Sequence, residues 1–91
     1  MAQDKKQDNS LENMRKKLIF RSWHRGTREI DLLLGRFADA HLPDFDAAEL
    51  KEYDELLHNS DPDLYNWLTG KENPPANRDS SVLQKLIKFH K

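Results

Sequence analysis

The chain has 91 residues, and its 15 Lys and Arg nearly cancel its 16 Asp and Glu, leaving a formal charge of −1 with no general attraction to nucleic acid or to an anionic membrane. A domain of this size buries only about 60% of the surface its unfolded chain exposes, which leaves little room for a large interior active-site cavity, and function is expected at the surface. The absence of cysteine rules out a disulfide framework, a thiolate zinc site and a thiol nucleophile, and no apolar run reaches the roughly 18 residues of a membrane span. These bounds lead to the expectation of a soluble, single-domain, cytoplasmic protein, with no membrane insertion and monomeric when free.

Residues 1–9 (MAQDKKQDN) carry almost no apolar side chain and read as a flexible tail. Asp4 and Asp8 interrupt the basic residues there, against the pattern of a transit peptide. Residues 10–91 read as a single helical domain. Ser10 is expected to cap a first helix whose inner side carries Leu11, Met14, Leu18, Ser22 and Trp23, with Gly26 ending it through a positive φ. Ile30, Leu33, Leu34, Phe37 and His41 recur at helical spacing and define a second helix, stopped by Pro43. Asp46 followed three residues later by Glu49 is a capping box, and Phe45 and Leu50 are placed to form the accompanying hydrophobic staple. Asp61-Pro62 repeats the logic, with Asp61 as expected cap of a short fourth helix carrying Leu64, Trp67 and Leu68. After the stiff Asn73-Pro74-Pro75-Ala76-Asn77 connection, a fifth helix starts near Asp79 or Ser80 with Val82, Leu83, Leu86, Ile87 and His90 as its stripe. No segment alternates as a strand would. The fold class is all-α, a small five-helix bundle.

The near-zero net charge hides an uneven distribution. Six Lys or Arg and no acid lie between Arg15 and Arg28, whereas nine acids and a single Lys lie between Asp39 and Asp63. Solvated helix faces account for such runs taken singly. A nucleic-acid partner is disfavoured, because the acidic half would repel the phosphates that the basic half attracts. His24, His41, His58 and His90 are 17 or more residues apart and have no ligand spacing, so no metal site is expected. The serines lack a nucleophile-elbow context, and there is no glycine-rich nucleotide loop. The segment from His24 to Glu29 stands out, because Arg25, Arg28 and Glu29 cluster around Gly26 in a turn that fixes their geometry. A purely structural role for the same residues fits the spacing equally well. Replacement of Gly26 by a larger residue is expected to cost roughly 1 kcal/mol or more.

Arg25-Gly26-x-x-Glu29, followed by Ile30-Asp31 and later by Asp61-Pro62-Asp63-Leu64-Tyr65-Asn66-Trp67-Leu68, resembles the FAD assembly factor family of succinate dehydrogenase, over roughly Leu18 to His90. The resemblance implies a small five-helix fold. It also implies an assembly chaperone, not an enzyme, that binds the flavoprotein subunit of succinate dehydrogenase, or of fumarate reductase, and promotes covalent attachment of FAD to a histidine of that subunit. No cofactor would be tightly bound, and FAD would be acted on in the partner. Carried over by position, Arg25, Gly26 and Glu29 match the functional motif, with Arg28 and Asp31 beside it as further partner-binding candidates. In the second motif Asp61, Pro62, Leu64 and Trp67 have folding roles, and Asp63, Tyr65 and Asn66 are candidate exposed contacts. The competing readings are a general interaction adaptor with another client and a free-standing flavin transferase, for which the sequence offers no dinucleotide site.

Overall fold

The computed structural model describes residues 2–90, with side chains from Ser10 onward, so the tail expected over residues 1–9 lies outside the residues it describes in full. Among them, α1 (Ala2–Trp23), α2 (Arg28–His41), α3 (Ala47–Leu56), α4 (Asp61–Leu68) and α5 (Ser81–Phe89) follow one another, with a single 3₁₀ turn over Leu42–Asp44 and no strand. The all-α, five-helix expectation is met. Ser10 does not cap α1, because the helix backbone extends past it to Ala2 and leaves Ser10 at an exposed interior position.

α1 and α2 form an antiparallel hairpin around the turn that contains Gly26. Near one end, Arg15 of α1 donates from Nε to the Leu42 carbonyl at 3.2 Å and from Nη2 to the Phe45 carbonyl at 2.7 Å, satisfying acceptors where α2 gives way to the 3₁₀ turn. At the other, the Trp23 indole lies against Gly35. Leu18, Ile30, Leu34, Phe37 and Ala38 enter the core from this hairpin, where they meet Leu50, Tyr53, Leu64, Trp67, Val82, Leu83 and Leu86 of the remaining helices. The expected stripes face the core, with Leu11, Met14, Leu33 and Ile87 at its margin and Trp23, His41 and His90 half-buried. A buried hydroxyl pair lies within this apolar contact. Ser22 Oγ donates its hydrogen to the Leu18 carbonyl at 2.7 Å, so the Tyr53 hydroxyl donates to Ser22 Oγ across 2.6 Å. Burial pushes the Tyr53 phenol far above its usual range, which keeps the donating proton in place.

The capping box is present, with Glu49 N donating to Asp46 Oδ1 at 2.8 Å and Asp46 N to Glu49 Oε1 at 3.1 Å, while Phe45 and Leu50 are both buried. α4 is capped differently from the expectation. Ser60 accepts from the Asp63 amide at 3.3 Å and is the N-cap, while Asp61 is the first residue inside the helix. α5 starts from Ser80, whose hydroxyl accepts from Leu83 N at 3.1 Å. Glu52 of α3 reinforces that start by accepting from Val82 N at 3.0 Å and from Ser81 Oγ at 2.9 Å. A carboxylate at a helix N-terminus satisfies free amides and meets the positive end of the dipole.

Two measurements check this packing. A Cβ at Gly35 would overlap Cδ2, Cε2 and Cε3 of Trp23, so Gly35→Ala is expected to destabilise by about 2 kcal/mol despite its better helix propensity, lowering Tm by roughly 10 °C. The Val82 amide holds the Glu52 carboxyl below its usual pKa. Its stabilising contribution is therefore complete above the ordinary glutamate value of about 4.3 and is lost as pH falls through the depressed folded value. Tm of Glu52→Gln, followed against pH, should lie below that of the parent at neutral pH and converge with it in acid; a constant gap would contradict the bond.

Candidate partner-binding site

The R-G-x-x-E turn divides into residues that build it and residues that it presents. Gly26 has φ of +118°, a backbone conformation that side-chain-bearing residues avoid. A Cβ there would meet nothing within 4 Å, so the requirement for glycine is conformational and not a matter of space. Arg25 and Asp31 are structural. The Arg25 amide donates to Asp31 Oδ1 at 2.6 Å, tying the turn to the first turn of α2. The Arg25 guanidinium reaches across to the connection between α3 and α4. It donates to Asp61 Oδ1 from Nε at 3.0 Å, pairs with the same oxygen from Nη2 at 2.9 Å, and donates to the Leu57 and Asn59 carbonyls. The Arg25 side chain is only 16% exposed.

This clamp explains the exchanged cap on α4. Asp61 has turned its carboxylate toward Arg25, and Ser60 supplies the capping oxygen in its place. Asn59 completes the connection: its Nδ2 donates to the Leu56 carbonyl at 2.9 Å, and its Oδ1 accepts from Arg78. The loop before α5 is thereby tied to the same point.

Arg28 and Glu29, by contrast, are exposed, and among the described residues neither has a side-chain hydrogen bond or ion pair. They stand on the rim of an open groove of about 470 Å³ between the start of α2 and α4, completed by Thr27, Ile30, Asp61, Pro62, Tyr65 and Asn66. The two sequence motifs, about 30 residues apart along the chain, thus share one surface. Tyr65 and Asn66 of the second motif face this groove, whereas Asp63 lines a different one beside Trp67 and Arg78. Tyr65 also carries Lys71 Nζ over its ring at 5.0 Å, and the Asn66 carbonyl accepts from the Lys71 and Glu72 amides at the end of α4.

A second groove of about 330 Å³ adjoins the first through Glu29 and Tyr65 and adds Leu32, Leu33, Arg36, Thr69 and His90. Sequence reading missed Leu32 and Arg36. Their signal was the spacing Glu29, Leu32, Arg36 at i, i+3, i+7, which marks the flank of α2 beside its core stripe. Among the described residues no cluster of His, Cys, Asp or Glu forms a candidate metal site, and no helix is long and apolar enough to cross a membrane.

Comparison with known proteins bears on this surface. Residues 16–90 match the model of the family described as "Flavinator of succinate dehydrogenase". The protein named succinate dehydrogenase assembly factor 2, mitochondrial, from Dictyostelium discoideum is 40% identical over 80 residues, covering 88% of this chain and 56% of its own length. Assembly factor 2-B, mitochondrial, from Drosophila mojavensis is 39% identical over 88 residues, covering 94% and 55%. The corresponding mitochondrial factor of Cryptococcus neoformans is 40% identical over 79 residues, covering 86% and 45%. The chain spans about half the length of these curated relatives. Their names correct the cytoplasmic expectation, since all three are designated mitochondrial. The physical reason is that balanced charge and missing cysteine are properties of a folded domain and carry no address.

The clamp is testable by itself. Arg25→Ala should destabilise the fold by roughly 2–3 kcal/mol in urea unfolding, because it leaves a partly buried carboxylate and two carbonyls without their charged donor. Arg25→Lys should recover only part of that loss, since one ammonium cannot span three acceptors as the planar fork does.

Proposed function

Because this chain belongs to the family described as the flavinator of succinate dehydrogenase, we propose that it is an assembly factor for that complex. Its direct partner is the flavoprotein subunit, and it promotes covalent attachment of FAD there without forming the bond itself. The same reading extends to the flavoprotein subunit of fumarate reductase. The observation that carries it is the convergence of both motifs on one groove, with Arg28 and Glu29 uncommitted at its rim.

The chemistry available to this surface is recognition. Arg28 and Glu29 offer a cation and an anion side by side on a turn whose backbone Gly26, Asp31 and Arg25 hold in place, and Tyr65 supplies an aromatic wall. The backbone that carries these groups is already ordered, so binding costs only the freedom of their side chains, and more of their interaction energy is available to select one partner conformation. A flavoprotein conformer that brings FAD and the accepting histidine into attack geometry gains population in proportion to its tighter binding to this surface. In this division of labour FAD is the partner's cargo, and this chain acts as a template.

Covalent flavin in the purified flavoprotein subunit, measured with and without the chain, tests the reading. Flavinylation is expected to rise with the chain present. Glu29→Ala should keep the parental Tm yet bind the subunit roughly ten- to a hundred-fold more weakly, through loss of a charge-assisted contact. A fully active Glu29→Ala would remove Glu29 from the site, and failure of the chain to co-purify with the subunit would overturn the partner.

A further inference from the structure

The basic residues from Arg15 to Arg25, on α1 and just after it, sort by face. Arg15, Arg21 and Arg25 turn onto the rest of the fold: Arg15 onto carbonyls at the end of α2, Arg21 onto Asp54 at 2.7 Å and Arg25 onto Asp61. Lys16 and Lys17 are exposed, and among the described residues neither makes a side-chain hydrogen bond or ion pair. One helical turn further along, on the same side as both, stands Phe20, 62% exposed.

The Phe20 ring is held in place. It stacks on His24 with centroids 4.0 Å apart and planes inclined by 16°, and His24 Nδ1 lies 2.7 Å from the Phe20 carbonyl oxygen in the last turn of the helix. An isolated exposed apolar residue needs no explanation. A stacked aromatic ring on the helix face that also carries Lys16 and Lys17 is a different arrangement, because it joins an apolar contact that water solvates poorly to charges with no side-chain partner among the described residues. We propose that the outer face of α1 is a second docking surface, which receives an acidic segment bearing an apolar side chain on the protein partner. Charge complementarity fixes the sign of the segment, and the exposed Phe20 plate fixes the need for an apolar side chain within it. The inference rests on the flavoprotein subunit being the partner, and it adds a contact outside the groove rimmed by Arg28 and Glu29.

Isothermal titration of the purified full chain against the purified flavoprotein subunit, at low and high salt, tests it. Phe20→Ala, and separately the pair Lys16→Glu with Lys17→Glu, should each weaken binding about tenfold with unchanged helicity and Tm. The loss from the lysine pair should shrink at high salt while that from Phe20→Ala persists. Parental affinity in both variants, with Glu29→Ala still impaired, overturns this inference and leaves the proposed function standing. Binding of the parent chain to phosphatidylglycerol vesicles, abolished in the variants while their subunit affinity is unchanged, would assign the face to a lipid surface and overturn it as well. A parent chain that does not bind the subunit overturns both readings.

Discussion

The Arg25 guanidinium is the constraint on which the rest of this structure depends. A cation only 16% exposed has surrendered most of its hydration and needs charge-assisted partners to remain there. It finds them on a single short connection, in the Asp61 carboxylate and the Leu57 and Asn59 carbonyls. Satisfying one side chain thereby joins the turn between α1 and α2 to the turn between α3 and α4. The consequences are local and specific. Asp61 gives up the helix cap to Ser60, the start of α4 is held against the start of α2, and the groove shared by the two motifs exists because those two helix starts are neighbours.

The same principle governs the uneven charge of the chain. A basic first third and an acidic middle appear from the sequence as a dipole directed at a partner. Folding closes part of that dipole on itself, because Arg21 meets Asp54 and Arg25 meets Asp61, while Lys85 from the far end meets Glu49 at 2.7 Å. The exposed pairs among these contribute little individually. Their larger effect is to consume charge, so that the groups left over on this side of the molecule, Lys16, Lys17, Arg28 and Glu29, become informative. Net charge and linear runs count all ionised residues equally, whereas recognition uses only those that the fold has not already paired.

Much of the fold was legible because its signals are short-range. The capping box at Asp46 and Glu49, the stripe from Ile30 to Phe37 and the positive φ at Gly26 each depend on residues within a few positions of one another. The failures are long-range. Asp61 next to Pro62 has every local mark of a cap, and only an arginine 36 residues earlier in the chain redirects it. Gly35 carries no local mark of its role, because the Trp23 ring that occupies the space a side chain would take comes from the preceding helix. For the site, sequence identified Arg25, Gly26, Arg28, Glu29 and Asp31 as one group without separating scaffold from contact. Hydrogen-bond accounting makes that separation, since Arg25 and Asp31 are spent within the chain and Arg28 and Glu29 are not.

A domain of this size has little spare core to deform, so the proposed template role falls to a rigid surface and not to a change of shape. Rigidity at the turn comes from three independent sources: a glycine conformation that few residues can adopt, a backbone amide held by Asp31, and a guanidinium held by the α3–α4 connection. Each lowers the entropy that Arg28 and Glu29 would otherwise lose on meeting a partner. A ligand shifts a conformational equilibrium only by the difference between its affinities for the two states. A pair of opposite charges on an ordered backbone sharpens that difference, because a partner conformer whose own charges lie beyond the reach of the two side chains cannot recover the contact through movement of the turn. In the proposed template role the buried clamp would therefore contribute to selection while staying mostly out of the partner's reach.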